Sequence, residues 1–275
     1  MDSNHFSRIV ILDSIPHGEL NTAKRLYDDL QMVASTHAPT PAIEYLRIES
    51  AQELIQFLSR CRDEVNHGRE VPMLHIECHG DEEGFGLADG SLLDWPELKL
   101  PLTELNVATQ LNLMISVAAC TGGALAKVIS MGERAPIWGL IGPTRSVYPH
   151  ELEDSFRALY ATLFETKSPA LAVKAMDSAS TTGTFWRTTA QGLFEKGWNS
   201  YKETYCTPAA MEVRAKRMLE RIKNLRPAPY PSLEELKKRL VDVEPSAYEQ
   251  YVATFFMYDL FPLHSQRFQL SLVSD

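Results

Sequence analysis

The chain has 275 residues, 44% of them hydrophobic and 23% charged, which is enough to build one large domain or a domain with an appendage and excludes wholesale disorder. Its 27 Lys and Arg stand against 36 Asp and Glu, a formal net charge of -9, and an acidic balance argues against nucleic acid as the main partner because phosphate binding needs a basic surface. The four cysteines, Cys61, Cys78, Cys120 and Cys206, form no CxxC pair and are too sparse for a disulfide framework.

In chain order, RIVILD (8–13) is a short apolar, β-branched run that predicts a buried parallel strand. Residues 18–33 predict a helix, with Leu20, Ala23, Tyr27 and Leu30 on one face. AIEYLRI (42–48) alternates as a strand does, and 51–65 is helical in pattern. VPMLHIECHG (71–80) predicts a third strand, ending at Gly80. GFGLADGSLLDW (84–95) predicts a hairpin turning at Asp89-Gly90. LNLMISVAAC (111–120) predicts a fourth strand, 121–132 a turn running into a helix, and PIWGLIGP (136–143) a fifth strand.

Beyond this, 150–164, 168–179, 185–205 and 208–225 read as helices, and the RPAPYPS break (226–232) precedes two more, at 232–243 and near 245–260. Alternating strands and helices imply an α/β fold with a mostly parallel sheet covered on both faces. The expected division is a domain over 1–180 and a helical region over 181–275. MDSNHFSR lacks the apolar run of a signal peptide, and YVATFFMYDLFPL (251–263) is too short to span a bilayer, so the expectation is a soluble, reduced, cytoplasmic protein without a membrane partner.

Parallel α/β sheets carry their sites at the carboxyl ends of the strands. Three such ends are chemically loaded: Asp13, His79-Gly80, and Cys120-Thr121-Gly122-Gly123. A free thiol is mostly protonated at neutral pH, and a neighbouring histidine favours the thiolate or acts as acid on a leaving amine. A cysteine opening a helix also gains free backbone N–H groups, which serve as oxyanion donors. The small residues Ala118, Ala119, Gly122 and Gly123 leave room for a peptide backbone beside Cys120.

LHIECHGDEEGFGL (74–87) and NLMISVAACTGG (112–123) resemble the two hallmark blocks of caspase-like cysteine peptidases, an apolar strand ending in His-Gly and another ending in Ala-Cys. The hairpin after His-Gly and the block 141–164 are similar to bacterial CHAT peptidases, and the resemblance covers about residues 8–180. It implies a caspase-like three-layer sandwich and a cysteine endopeptidase cutting a protein or peptide substrate, in a bacterial conflict or cell-death role. It implies His79 as acid/base, Cys120 as nucleophile, and the N–H groups of Gly80 and Cys120 as oxyanion donors. Ala118 and Thr121 stand where caspases carry Gln before, and Arg, Gln or Gly after, the cysteine, so a strict aspartate preference is not expected. Asp13 lies where related peptidases build the first specificity pocket; an acid there would favour a basic residue before the cut. Ala119 and Thr121 are the further candidates for substrate contact, and the C-terminal helices for a regulatory protein partner.

The competing readings are structural. His79 can be a strand-end histidine on a carbonyl, Cys120 a buried thiol, and Asp13 a turn former. A metal set of His75, Cys78, His79 and Cys120 fails on alternation, which puts Cys78 on the opposite face. GFGLADG opens no helix, and no phosphate-loop or nucleophile-elbow motif is present, so no cofactor is expected. Two further functions stay open: a caspase-like adaptor without catalysis, and a flavodoxin-like binder cradling phosphate at 13–18 or 121–124. Residues 212–226 carry a dense basic face, and Met211, Met218, Leu219, Ile222 and Leu225 fall on the other side; Trp186 and Trp198 read as core of the preceding helix.

Overall fold

RIVILDS forms β1 (Arg8–Ser14), and all of it is buried. A strand apolar on both faces belongs inside a sheet covered on both sides. Beside it lie β2 (Ala42–Arg47) and β3 (Pro72–Gly80), followed across the sheet by β6 (Met114–Ala118), β7 (Gly139–Pro143) and β8 (Phe185–Thr189), in the order β2-β1-β3-β6-β7-β8. The pairings from β2 to β7 are parallel and β8 runs antiparallel to β7. A hairpin of β4 (Gly84–Gly86) and β5 (Leu92–Asp94) pairs onto the end of β3. The computed structural model describes residues 6–37, 39–268 and 270, so residues 1–5 of the MDSNHFSR stretch lie outside the described residues.

Alternation along β1 and β3 sends side chains into two cores. Val10, Leu12, Leu74 and Ile76 pack with α2 (Ala51–Asn66) and α3 (Trp95–Ala108) through Leu54, Leu58, Leu98 and Leu105. Ile9, Ile11 and Met73 pack with α1 (Thr22–Thr36), α4 (Pro149–Thr166) and α5 (Pro169–Ser178) through Leu26, Leu30, Phe156 and Met176. At roughly 1.5–3 kcal/mol per fully buried Leu, Ile, Phe or Met, these layers fix the strand ends in place. The fold is α/β, with a mostly parallel sheet between helices.

Three expectations are corrected, and one helix was not foreseen. Residues 95–108 form that helix, α3: Pro96 sits in the first turn, where its missing N–H costs nothing, and Pro101 lies inside the helix. Its buried Trp95, Leu98, Leu102 and Leu105 hold it to the sheet. The segment after Cys120 is a short 3-10 turn, Gly122–Val128, rather than an α-helix. Residues 185–205 divide into β8 and α6 (Ala190–Tyr205), because β7 offers Phe185–Thr189 an open edge and these β-prone residues take it. On the first helix, Leu20 lies before the start and is 53% exposed; Leu26 takes its expected place in the core.

The chain divides into two compact units. The first comprises residues up to Ile129 with Ala135–Ala190, so it ends at Ala190 and includes β8; the second comprises Ser130–Arg134 and the residues from Gln191. The second unit holds α7 (Pro208–Leu225), α8 (Leu233–Phe255) and α9 (His264–Arg267). The two last predicted helices are one, α8 running through Pro245. Phe194, Trp198, Tyr248, Phe255 and Phe256 stack edge-on and tilted inside this unit, so Trp198 is core as expected. On α7 only Met211 and Ala215 are buried; Leu225 is 75% exposed and leaves the predicted apolar side.

Candidate active site

The β3–β6 ladder runs from Met73 paired with Met114 to Glu77 paired with Ala118. His79 and Cys120 keep that same offset of 41 residues, but β6 ends at Ala118, so Cys120 lies two residues past its strand, while His79 pairs with Gly86 of β4. On the face of β3 that alternation gives to His79, His75 and Glu77 meet Tyr160 of α4 and Thr22 of α1. The spacing seen in the sequence equals the offset of the β3–β6 ladder.

The ladder stops at Glu77–Ala118, and that stop opens the site. Among the described residues the Cys120 N–H donates to no acceptor, where a longer ladder would have used it. The Asp81 N–H donates to Gly84 O at 3.1 Å, so antiparallel alternation turns the N–H of Gly80 to the opposite edge, where Cys120 lies. The two backbones nearly touch there. A Cβ added at Gly80 would lie 2.9 Å from Cys120 O and 3.0 Å from Ala119 Cβ. Two unclaimed or outward-turned N–H groups beside a thiol are the elements an oxyanion hole requires.

The side chains do not meet directly: among the described residues no hydrogen bond joins His79 to Cys120. His79 is 60% exposed, and its Nε2 lies 3.0 and 3.1 Å from the two carboxylate oxygens of Glu19. Cys120 is half-buried, with Sγ 4.0 Å from Val147 O, a distance at which a thiol is a weak donor. The other thiols are set apart chemically. Burial pushes Cys61 up to about 11 and Cys78 higher still, and burial also raises Cys206. Cys78 faces the core, as expected.

Other expected site residues fall differently. Asp13 is fully buried and its carboxylate is saturated: Ile15 N (2.9 Å) and Arg47 (2.9 Å) donate to Oδ1, and Asn21 (2.7 Å) and the Tyr45 hydroxyl donate to Oδ2. Burial alone would raise its pKa, but the bonds from Tyr45, Ile15, Asn21 and Arg47 together lower it. A carboxylate offers about four lone-pair sites, so nothing remains for a substrate, and Asp13 is withdrawn as a specificity residue. Ala119 is 1% exposed and its side chain is likewise closed to substrate.

Thr121 adopts the left-handed conformation (φ 53°), strain of a kind that collects at functional turns. With Gly123, Ala124, Thr144 and Trp186 it lines a cavity of about 270 Å³, and His79, Gly80 and the β4–β5 hairpin line another of about 210 Å³. Trp186, expected in a helix core, is thus a half-buried wall on β8. The room expected at Gly122 is filled by Val117, 2.4 Å from where a Cβ would stand.

The 121–124 segment is no phosphate cradle, because the N–H groups of Thr121, Gly122 and Ala124 are spent on Arg145, Ala119 and Thr121 carbonyls. A 3-10 turn this short also carries little macrodipole, so that expected aid to a thiolate is removed. The acids after Gly80 build the turn: Asp81 accepts from Glu83 N (2.7 Å) and Gly84 N (3.1 Å), and Lys127 donates to Glu82 O (2.6 Å).

Sequence reasoning missed Glu19. It lies 60 residues before His79, and no local pattern marks it. Comparison with known proteins finds no matching family model and no matching curated protein.

Proposed function

We propose that this chain is a cysteine endopeptidase of caspase-like kind, similar to bacterial CHAT peptidases in its His-Gly and Ala-Cys blocks. The observation that supports the reading is the close approach of Gly80, next to His79, to the backbone of Cys120 where the β3–β6 ladder opens. The Cys120 thiolate attacks a peptide carbonyl carbon, and the backbone N–H groups of Gly80 and Cys120 bind the oxyanion. His79 protonates the leaving amine as the C–N bond breaks, leaving a thioester. Water, deprotonated by His79, hydrolyses that thioester and regenerates the thiol. Thr121 and Trp186 border the substrate. Protein or peptide is the substrate class, the role is bacterial defence or cell death in the cytoplasm, and the C-terminal helices receive a regulatory partner.

A second reading, an adaptor without catalysis, draws on the missing His79–Cys120 hydrogen bond. A peptidyl acyloxymethyl ketone distinguishes the two readings: the peptidase forms an adduct at Cys120, found by mass spectrometry, which slows at least tenfold in His79→Ala. An adaptor forms none, or forms it equally in both.

A further inference from the structure

Glu19 is placed with more care than an exposed acid needs. It follows a β-turn in which Glu19 N donates to Pro16 O (3.3 Å) and Gly18 takes φ 93°, a conformation only glycine adopts readily. Both ends of this loop are tied to buried Asp13: Ile15 N donates to Oδ1, and Asn21, which also caps α1 by accepting from Lys24 N, donates to Oδ2. Asp13 in turn holds Arg47 and Tyr45 of β2. The residue that sequence reasoning assigned to a specificity pocket is thus the anchor of the loop carrying Glu19. The loop ends with both Glu19 oxygens on one ring nitrogen of His79.

An ionised carboxylate only accepts hydrogen bonds. A neutral imidazole facing it must therefore carry its proton on Nε2, which leaves the lone pair on Nδ1. We infer that Glu19 is the positioning residue of this site: its carboxylate fixes the His79 tautomer and ring orientation so that Nδ1 is the nitrogen that exchanges protons with thiol and leaving amine. This rests on the peptidase reading. Both side chains are half exposed or more, at 50% and 60%, so the pair acts through direction rather than through energy, since water weakens exposed ion pairs.

The experiment uses the full chain and two readouts. In the ¹⁵N spectrum of the neutral ring, wild-type His79 shows protonated Nε2, and Glu19→Ala shifts it towards a tautomer mixture. In cleavage of a peptide substrate, Glu19→Ala and Glu19→Gln lower kcat about tenfold or more with KM within about twofold, as loss of an orienting acid does, and Glu19→Asp recovers part of the loss. An unchanged tautomer in Glu19→Ala, an unchanged kcat, or an effect confined to KM overturns the assignment; the last would make Glu19 a substrate contact. If wild-type protein cleaves nothing, the peptidase reading fails, and the tautomer readout still decides whether Glu19 orients His79.

Discussion

Replacing Gly80 with Ala tests the oxyanion geometry with one methyl group. That methyl would stand 2.9 Å from Cys120 O and 3.0 Å from Ala119 Cβ, where ordinary contact begins at 3.4 Å. The carbonyl cannot swing away: the Thr121 hydroxyl donates to it (2.7 Å), Gly122 N holds Ala119 O (3.0 Å) and Thr121 N holds Arg145 O (3.2 Å). The end of β3 must therefore retreat by about half an ångström, carrying the Gly80 N–H with it. A misplacement of about 1 Å costs up to ~10²-fold, and loss of one oxyanion donor costs ~10²–10³-fold. The expected fall in kcat is roughly 10- to 100-fold, with KM little changed and about 1–3 kcal/mol of overpacking in stability. Initial rates on a cleaved peptide, with urea midpoints measured alongside, separate the two effects. A folded Gly80→Ala protein with wild-type kcat refutes the assignment of this N–H to the oxyanion.

Two more predictions need no substrate. With the Cys61 thiol pushed up from 9.0 to about 11, its thiolate at pH 7.5 is about 100-fold rarer than for an ordinary thiol, and Cys78 is rarer still. Iodoacetamide should therefore modify Cys120 first and reach Cys61 and Cys78 only on unfolding; peptide mass spectrometry that finds Cys78 ahead of Cys120 contradicts the site. Asp13→Ala should cost about 3–5 kcal/mol, since it leaves buried donors without their carboxylate. Asp13 has a lowered folded-state pKa. Its ionic contribution is therefore complete above the unfolded value of about 3.9 and is lost as pH falls through the lower folded value. The gap in urea midpoint between wild type and Asp13→Asn should stay flat from about pH 8 to 5 and close below about pH 4; a gap that widens on acidification contradicts this.

The sheet was legible because its central strands are buried on both faces and read as predominantly apolar runs: RIVILD, LHIEC and NLMISVA needed only their order. What failed were segments whose state is set by partners. Residues 185–189 became β8 because β7 had a free edge, and α3 survives Pro101 because its leucines are buried. His79 and Cys120 could be proposed as a pair because each follows such a run, and their offset equals that of the β3–β6 ladder. Asp13 was visible as a strand-end acid, but nothing local told of Asn21, Tyr45 and Arg47 closing on it. Glu19 was invisible because its meaning lies in a turn and a contact 60 residues away.

The central claim is that Cys120 and His79 cut peptide bonds. Incubation of a cell proteome with this chain, followed by mapping of new N-termini, tests it most directly, with Cys120→Ala and His79→Ala run alongside. The account predicts a defined set of new termini with wild type, absent with Cys120→Ala and reduced about 10²-fold or more with His79→Ala. New termini that persist in both variants would contradict it.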